Sequence, residues 1–160
     1  MHSAASCNGT GESQPACSTP VQGICPAGWH MPSHYEWTML ERAVCASGTC
    51  TSDFPYDTST TGYRGTDEGS RLAGNVTDQS WTAGTLTGDG DFGTSGFNLP
   101  AAGLRNTNGD YGNRVTTSYP WSSSGSGSNR WYRILVSSGT IYRNGGNLAA
   151  AGFSVRCLKD

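Results

Sequence analysis

Gly23-Ile24-Cys25-Pro26-Ala27-Gly28-Trp29-His30-Met31-Pro32-Ser33-His34-Tyr35-Glu36-Trp37 is the stretch on which the reading of the chain turns. Pro32 stops any regular element before it, because proline has a fixed φ and no N–H to donate. Ser33 and Glu36 then stand three apart, the spacing of a capping box. The serine oxygen takes one orphan backbone N–H, and the glutamate reaches back to another. A helix from Ser33 to Val44 is predicted. Trp37, Leu40 and Val44 fall on one face of it and form a stripe that packs on a core. His34 is expected to be an exposed first-turn residue, and His30 a packing residue.

Working outward, residues 1–22 are small and polar, carry Cys7 and Cys17, and read as loop ahead of a domain spanning 23–160. Residues 45–63 form a Cys-, Ser- and Thr-rich loop. Thr66–Gly74 reads as a short second helix. Thr66 caps it, Asp67 and Glu68 sit in its positive first turn, and Gly74 closes it in the left-handed conformation. From residue 75 the pattern changes to short apolar pieces between Gly, Asn, Ser and Asp turns. Phe97–Pro100, Gly103–Arg105, Arg130–Val136, Thr140–Arg143 and Phe153–Leu158 read as strands. Two early helices and a strand-rich remainder give an α+β class. The 160 residues suit one domain, which would hide roughly 70% of the surface its unfolded chain exposes. With 34% apolar residues and 23 glycines the chain is too loop-rich for a helical bundle, yet 16 aromatic residues run along its whole length and argue against disorder.

The charge is split. Residues 1–100 hold three Arg against ten Asp or Glu, whereas residues 101–160 hold six Arg and one Lys against two Asp. The arginines are spaced along the predicted strands, so they are expected to pair with the acidic half. Only clustered charge makes a nucleic-acid footprint, and no nucleic-acid partner is expected. No stretch approaches the roughly 20 apolar residues of a membrane span, so no membrane insertion is expected. Met1 is followed by no apolar signal core, so an exported chain would have shed its signal or be a fragment.

Six cysteines, an even number in a loop-rich chain, point to disulfides and an oxidising location at a cell or virion surface. Zinc is not expected, because there is no Cys-x-x-Cys pair and His2, His30 and His34 lack finger spacing. Asp89-Gly90-Asp91 offers two carboxylates but none of the rest of a calcium loop, and reads as a turn. No metal and no cofactor are expected. A catalytic centre needs a base held beside an activated group, and no such pairing is legible.

Four segments together resemble one family. They are Gly23–Trp37, Gly65–Leu72 (GTDEGSRL), Phe97–Ser124 (FNLPAAGLRNTNGDYGNRVTTSYPWSSS) and Gly152–Asp160 (GFSVRCLKD). In order and spacing they resemble the Fibrobacter major paralogous domain. The first segment is also loosely similar to the Leu-Pro-Thr-x-x-Glu-Trp run of formylglycine-generating-enzyme-like domains. The resemblance implies a C-type-lectin-like fold: two helices, a small mixed sheet, and long loops displayed on strands near the C-terminus. The family usually has a further segment ahead of the point where this chain begins, which implies an exposed strand edge or a shortened start. Formylglycine-generating enzymes use paired C-terminal cysteines, and here only Cys157 lies there, so that activity is not carried over. Sugar-binding relatives hold calcium with Glu-Pro-Asn or Gln-Pro-Asp loops, and neither occurs. Cys25 and Cys157 sit in the first and last motifs and are expected to pair. Cys45–Cys50 and the remaining Cys7–Cys17 complete the expected scheme.

Trp121–Cys157 further resembles the variable region of diversity-generating-retroelement proteins. There, adenine-directed copying errors turn AAY codons into many residues, but never into Lys, Glu, Gln, Met or Trp. Residues 122–156 contain no Lys, Glu, Gln or Met, and Trp131 alone represents Trp. The first 121 residues hold 14 of these types, so about four would fall in this stretch by chance. The resemblance makes Trp29, Trp37, Trp121, Trp131, Arg133, Arg143 and Phe153 framework. It makes Arg130, Tyr132, Ile134, Val136, Ser137, Ser138, Tyr142, Asn144 and Asn147 candidate ligand-binding positions, exposed despite their apolar members. Strand alternation puts Trp131, Arg133 and Leu135 on one face and Tyr132, Ile134 and Val136 on the other. Tyrosine among Ser, Gly and Asn is also a paratope composition. The expected partner is a protein or cell-surface ligand. The competing readings are a degenerate or novel enzyme of the formylglycine-generating type, and a plain surface-adhesin module.

Overall fold

Ser33 and Glu36 close their capping box at the head of α1 (His34–Val44) in the computed structural model, which describes residues 20–75, 81–146 and 150–160. The Ser33 hydroxyl accepts the Glu36 N–H at 3.1 Å, and the Glu36 carboxylate accepts the Ser33 N–H at 2.8 Å. Three short helices follow: α2 (Cys50–Asp53), α3 (Glu68–Leu72) and α4 (Thr85–Gly88).

The strands are β1 (Trp29–His30), β2 (Gly62–Arg64), β3 (Leu104–Arg105), β4 (Tyr111–Gly112), β5 (Trp121–Ser126), β6 (Asn129–Leu135), β7 (Ile141–Asn144) and β8 (Leu158–Lys159). The main sheet is antiparallel, in the order β2-β7-β6-β5. β1 pairs with β8, and β3 with β4, both antiparallel. The class is α+β with antiparallel sheets.

Each face of the main sheet has its own apolar cluster. Leu135 and Ile141, paired across β6 and β7, point to the α1 side and join Trp37, Phe54, Leu72 and Leu99. Leu40 and Val44 pack against the same cluster, so the predicted stripe faces the core. On the other side Trp121 and Tyr132 gather with Cys25 and Met31, and Phe153 packs against them.

Several sequence expectations change. The α3 cap is Asp67, not Thr66, and it makes no side-chain cap bond. Its carboxylate is taken by Arg71 at 2.9 Å, one helical turn on, while the Thr66 N–H goes to the Glu68 carboxylate. Gly74 is not left-handed. Glycine is needed there because a Cβ would collide with the Asn98 side chain, and Asn98 itself carries the positive φ of 51°. The predicted strand at Phe97–Pro100 reduces to one bridge, Leu99 with Ala73. Phe153–Leu158 is mostly irregular, with a single bridge at Ser154 and pairing only from Leu158. Trp29, expected as framework, is 39% exposed at the β1 edge. Asp89-Gly90-Asp91 is a turn in which the Asp89 carboxylate accepts the Asp91 N–H, and Asp91 pairs with Arg71 at 2.8 Å.

Cys25 is bonded to Cys157 and Cys45 to Cys50, the pairings that the motifs and their spacing suggest. The first closes a loop of 132 residues, worth about 5 kcal/mol in the chain-entropy account. Both accord with an oxidising environment. The Cys7–Cys17 pairing and the 1–22 segment up to Thr19 lie outside the described residues. Among the described residues no helix is long and apolar enough to cross a membrane.

His30 locks the same corner. Its Nδ1 lies 2.6 Å from Asp160 Oδ1 and its Nε2 lies 2.9 Å from Glu36 Oε1. Both ring nitrogens therefore face carboxylates, which only the imidazolium satisfies with two donors. Burial alone would lower the His30 pKa, but the bonds to Asp160 and Glu36 outweigh it and raise it above 6.5. A raised folded value gives stability that is fully present below the unfolded pKa and fades as pH climbs through the folded one. Urea-unfolding free energy should fall as pH rises above about 6.5 and stay flatter in His30→Gln. Parallel profiles for the two proteins would show that the clamp contributes nothing.

Candidate functional site

The inner face of the main sheet carries buried charge. Arg133 and Arg143 are directly opposite each other on β6 and β7, and both are fully buried on the α1 side. α1 answers with a second, polar face. His34, Thr38 and Glu41 recur at helical spacing and are each 0% exposed. Arg133 Nε bonds Glu41 Oε1, and Arg133 Nη2 donates to Glu41 Oε2 at 3.2 Å, a bidentate ion pair. Arg143 donates to the Thr38 hydroxyl and to the Pro55 carbonyl, both at 3.1 Å.

His34 sits between the two arginines. The expectation of an exposed first-turn histidine is overturned, because α1 enters with this residue aimed at the sheet. Nδ1 lies 3.1 Å from Arg133 Nη1, and Nε2 lies 2.8 Å from both Arg143 Nη2 and the Asp57 carbonyl. Burial, then Arg133, then Arg143 push its pKa down to about 2. Burial and the neighbouring Arg133 also lower Arg143 to about 10, against the pull of Glu41 and Asp57. The Asp57 carboxyl is held low although burial opposes it, because Thr60 and Ser59 donate to it and Arg143 attracts it. His34 is thus a neutral structural wedge, with its ring 4.1 Å from that of Trp131.

Strand β5 made no apolar signal in the sequence, yet Ser122, Ser123 and Ser124 are all buried. Small hydroxyl side chains let α1 approach closely. Ser124 Oγ accepts the His34 N–H at 2.9 Å, and Ser122 Oγ donates to the Trp131 carbonyl at 2.9 Å.

Alternation carries the intervening residues to the outer face. Tyr63, Tyr142 and Ile134 stand in register across β2, β7 and β6 and form one row. The Tyr63 and Tyr142 rings meet edge to face, 4.7 Å apart at 71°. Tyr63 is 60% exposed; Tyr142 and Ile134 are half-buried. At the β5 end the same face is covered. Tyr132, expected in the binding set, is 2% exposed beneath Phe153, with ring centroids 5.0 Å apart, and edge-on to Trp121. It belongs with the framework. The outer face is therefore closed at β5 and open at β2.

The other expected binding positions surround this row. Arg130 and Asn144 are half-buried, and Asn144 Oδ1 accepts the Gly146 N–H at 2.7 Å. Val136 is half-buried, and Ser137 and Ser138 are exposed in the β6–β7 turn. Asn147 lies outside the described residues. Tyr63 was missed because it precedes the C-terminal segment by some sixty residues of chain. The Gly-Tyr-Arg run at 62–64 was its only sequence trace. Of the expected framework, Trp37, Trp121, Trp131, Arg133 and Arg143 are buried and Phe153 is half-buried. Among the described residues no three His, Cys, Asp or Glu side chains are grouped to hold a metal ion.

Fold and site together define a disulfide-linked α+β domain with one sheet face pinned by buried charge and the other presenting aromatic residues. The chain belongs to the family described as the Fibrobacter succinogenes major domain, which matches residues 9–159. No curated protein matches it, and no solved structure does.

Two predictions test the charge cluster. Glu41→Gln leaves two buried guanidinium groups without their carboxylate, so urea unfolding should register a loss of about 3–5 kcal/mol; a loss below about 1 kcal/mol would mean that the ion pair is solvated. The depressed His34 pKa also makes acid destabilising, because the unfolded chain takes up a proton near 6.5 that the native chain refuses. Stability should fall from about pH 6.5 to about pH 5, with a shallower fall in His34→Gln.

Proposed function

We propose that this chain is a ligand-binding display domain of C-type-lectin-like architecture, secreted or carried on a cell or virion surface. Its C-terminal segment 121–157 serves as the variable region of a diversity-generating-retroelement protein and recognises a protein or cell-surface ligand. Binding, not catalysis, is its activity, and it uses no cofactor. The observation that carries this reading is the open row Tyr63–Tyr142–Ile134 on a sheet whose opposite face is held rigid. Aromatic residues supply contact area at low entropy cost, and Ser137, Ser138 and Asn144 add adaptable polar groups beside them. A few such aromatics commonly dominate an interface.

The distribution of chemistry supports a binder over an enzyme of the formylglycine-generating type. Both described histidines are committed to structure: His34 is sealed and neutral, and His30 is held between Glu36 and Asp160. Cys25, Cys45, Cys50 and Cys157 are all oxidised in pairs.

The test is a library randomised at Ile134, Val136, Ser137, Ser138, Tyr142 and Asn144, with Tyr63 and Tyr132 kept, panned against lysozyme and streptavidin. Folded binders should emerge, with stability within about 0.5 kcal/mol of the parent for each surface change. Tyr63→Ala in a selected clone should weaken binding by at least about tenfold, or 1.4 kcal/mol. A library that is mostly unfolded would show that these positions are core and end the display reading. The retroelement part has its own test in the flanking DNA, where a near-copy of the codons for 121–157 should lie beside a reverse transcriptase gene. A plain surface-adhesin module would have neither.

A further inference from the structure

A concavity lies at the β6–β7 turn end of the sheet, apart from the tyrosine row. It has a volume of about 330 Å³ and is bounded by the 81–86 segment, by Val115 and Thr116, and by Ser137. The volume falls within the roughly 300–1,000 Å³ of small-ligand sites. Its floor is apolar: Trp81 is 6% exposed and Leu86 2%. The Trp81 indole N–H is already spent on the Leu99 carbonyl at 3.0 Å, so the ring is held in place and offers no donor to the cavity. Its rim is hydroxyl. Thr82, Thr85 and Ser137 are exposed, and their side chains take no hydrogen bond among the described residues. Among the described residues no charged side chain lines it.

Val115 adds an independent observation. It is a β-branched residue at φ 63°, where such residues are genuine outliers. Its N–H donates to the Ala101 carbonyl at 2.8 Å, and its carbonyl accepts the Thr82 N–H at 2.7 Å. The residue lines the cavity with these two bonds in place and is 38% exposed. Strain of this kind costs about 1–3 kcal/mol and gathers at ligand sites.

The lining selects its ligand. A charged group would be desolvated here without a counter-charge, which is costly. A sugar ring presents hydroxyls around its whole edge and is held best by planar amides, carboxylates or guanidiniums, and the lining has none among the described residues. An uncharged, mostly apolar ring with one polar edge fits the apolar floor and the hydroxyl rim. We propose that this cavity is a binding pocket for a neutral phenolic ring, presented as a tyrosine side chain of the partner polypeptide. Because Ser137 belongs to both the pocket rim and the turn proposed for ligand contact, this inference rests on the binding reading above and names one anchor of that partner.

The test is direct titration of the 160-residue chain, followed by calorimetry and by chemical shifts of the Trp81 indole. N-acetyl-tyrosinamide should bind saturably, N-acetyl-alaninamide and glucose should not, and anionic N-acetyl-tyrosine should bind more weakly. Ala83→Phe fills the cavity from an exposed position and should leave the melting temperature unchanged while weakening N-acetyl-tyrosinamide at least about tenfold. Val115→Gly relieves the strain and removes one wall; it should fold and also bind more weakly. Glucose binding as well as N-acetyl-tyrosinamide, or affinity unchanged in both variants, would overturn the proposal. Because no partner protein enters this assay, its failure leaves the library selection standing, and failure of the selection leaves this titration interpretable.

Discussion

The ion pair between Glu41 and Arg133 is the contact on which the rest depends. Two charges taken out of water are stable only if each is met with good geometry. Here a bidentate pair meets that demand from one helix and one strand. Once it forms, α1 has a fixed rotation and a fixed height on the sheet. His34 falls between the guanidiniums, and Thr38 reaches Arg143. Trp37 is turned to the apolar cluster beside it. A purely apolar interface would tolerate sliding, because hydrophobic contact is non-directional. The serines of β5 are a consequence: a helix held this close leaves room only for small side chains.

Much of the scaffold was legible because its signals are local. The α1 cap needs only Ser33 and Glu36, and the core stripe needs only residues three and four apart. The polar face of the same helix was not legible. His34, Thr38 and Glu41 look like a solvated side until the arginines of distant strands are brought opposite them. The α3 cap, Asp67, goes without a side-chain cap bond for a related reason, since its carboxylate takes Arg71 as its partner instead of the helix end. β5 was unreadable by alternation, because its buried residues are serines chosen for size. Tyr132 and Tyr142 are indistinguishable by composition. What separates them is Phe153, which folds over one and leaves the other open, and that is a contact between segments far apart in sequence.

The two faces of one sheet thus carry opposite obligations. Trp131, Arg133 and Leu135 are held by α1, and their neighbours on the same strand look outward. Alternation lets a single strand serve both, with no change on one side transmitted to the other except through the backbone. Substitutions on the outer row leave the buried charges paired, and the buried charges set the backbone that the outer row rides on. Tyr63 extends this arrangement to β2, so the open face is framed by a residue from outside the C-terminal segment.

The Cys25–Cys157 bond has a mechanical meaning. Tension applied through the chain at its first and last motifs runs along one covalent link and does not enter the 131 residues between the two cysteines. β1 and β8 lie beside that link, so the short ladder and the His30 clamp are the first structures to feel a pull. The sheet, the buried arginines and the tyrosine row lie inside the closed loop and are shielded. A pull applied between the two ends of the chain therefore leaves the sheet and its outer row undistorted until a reductant opens the loop.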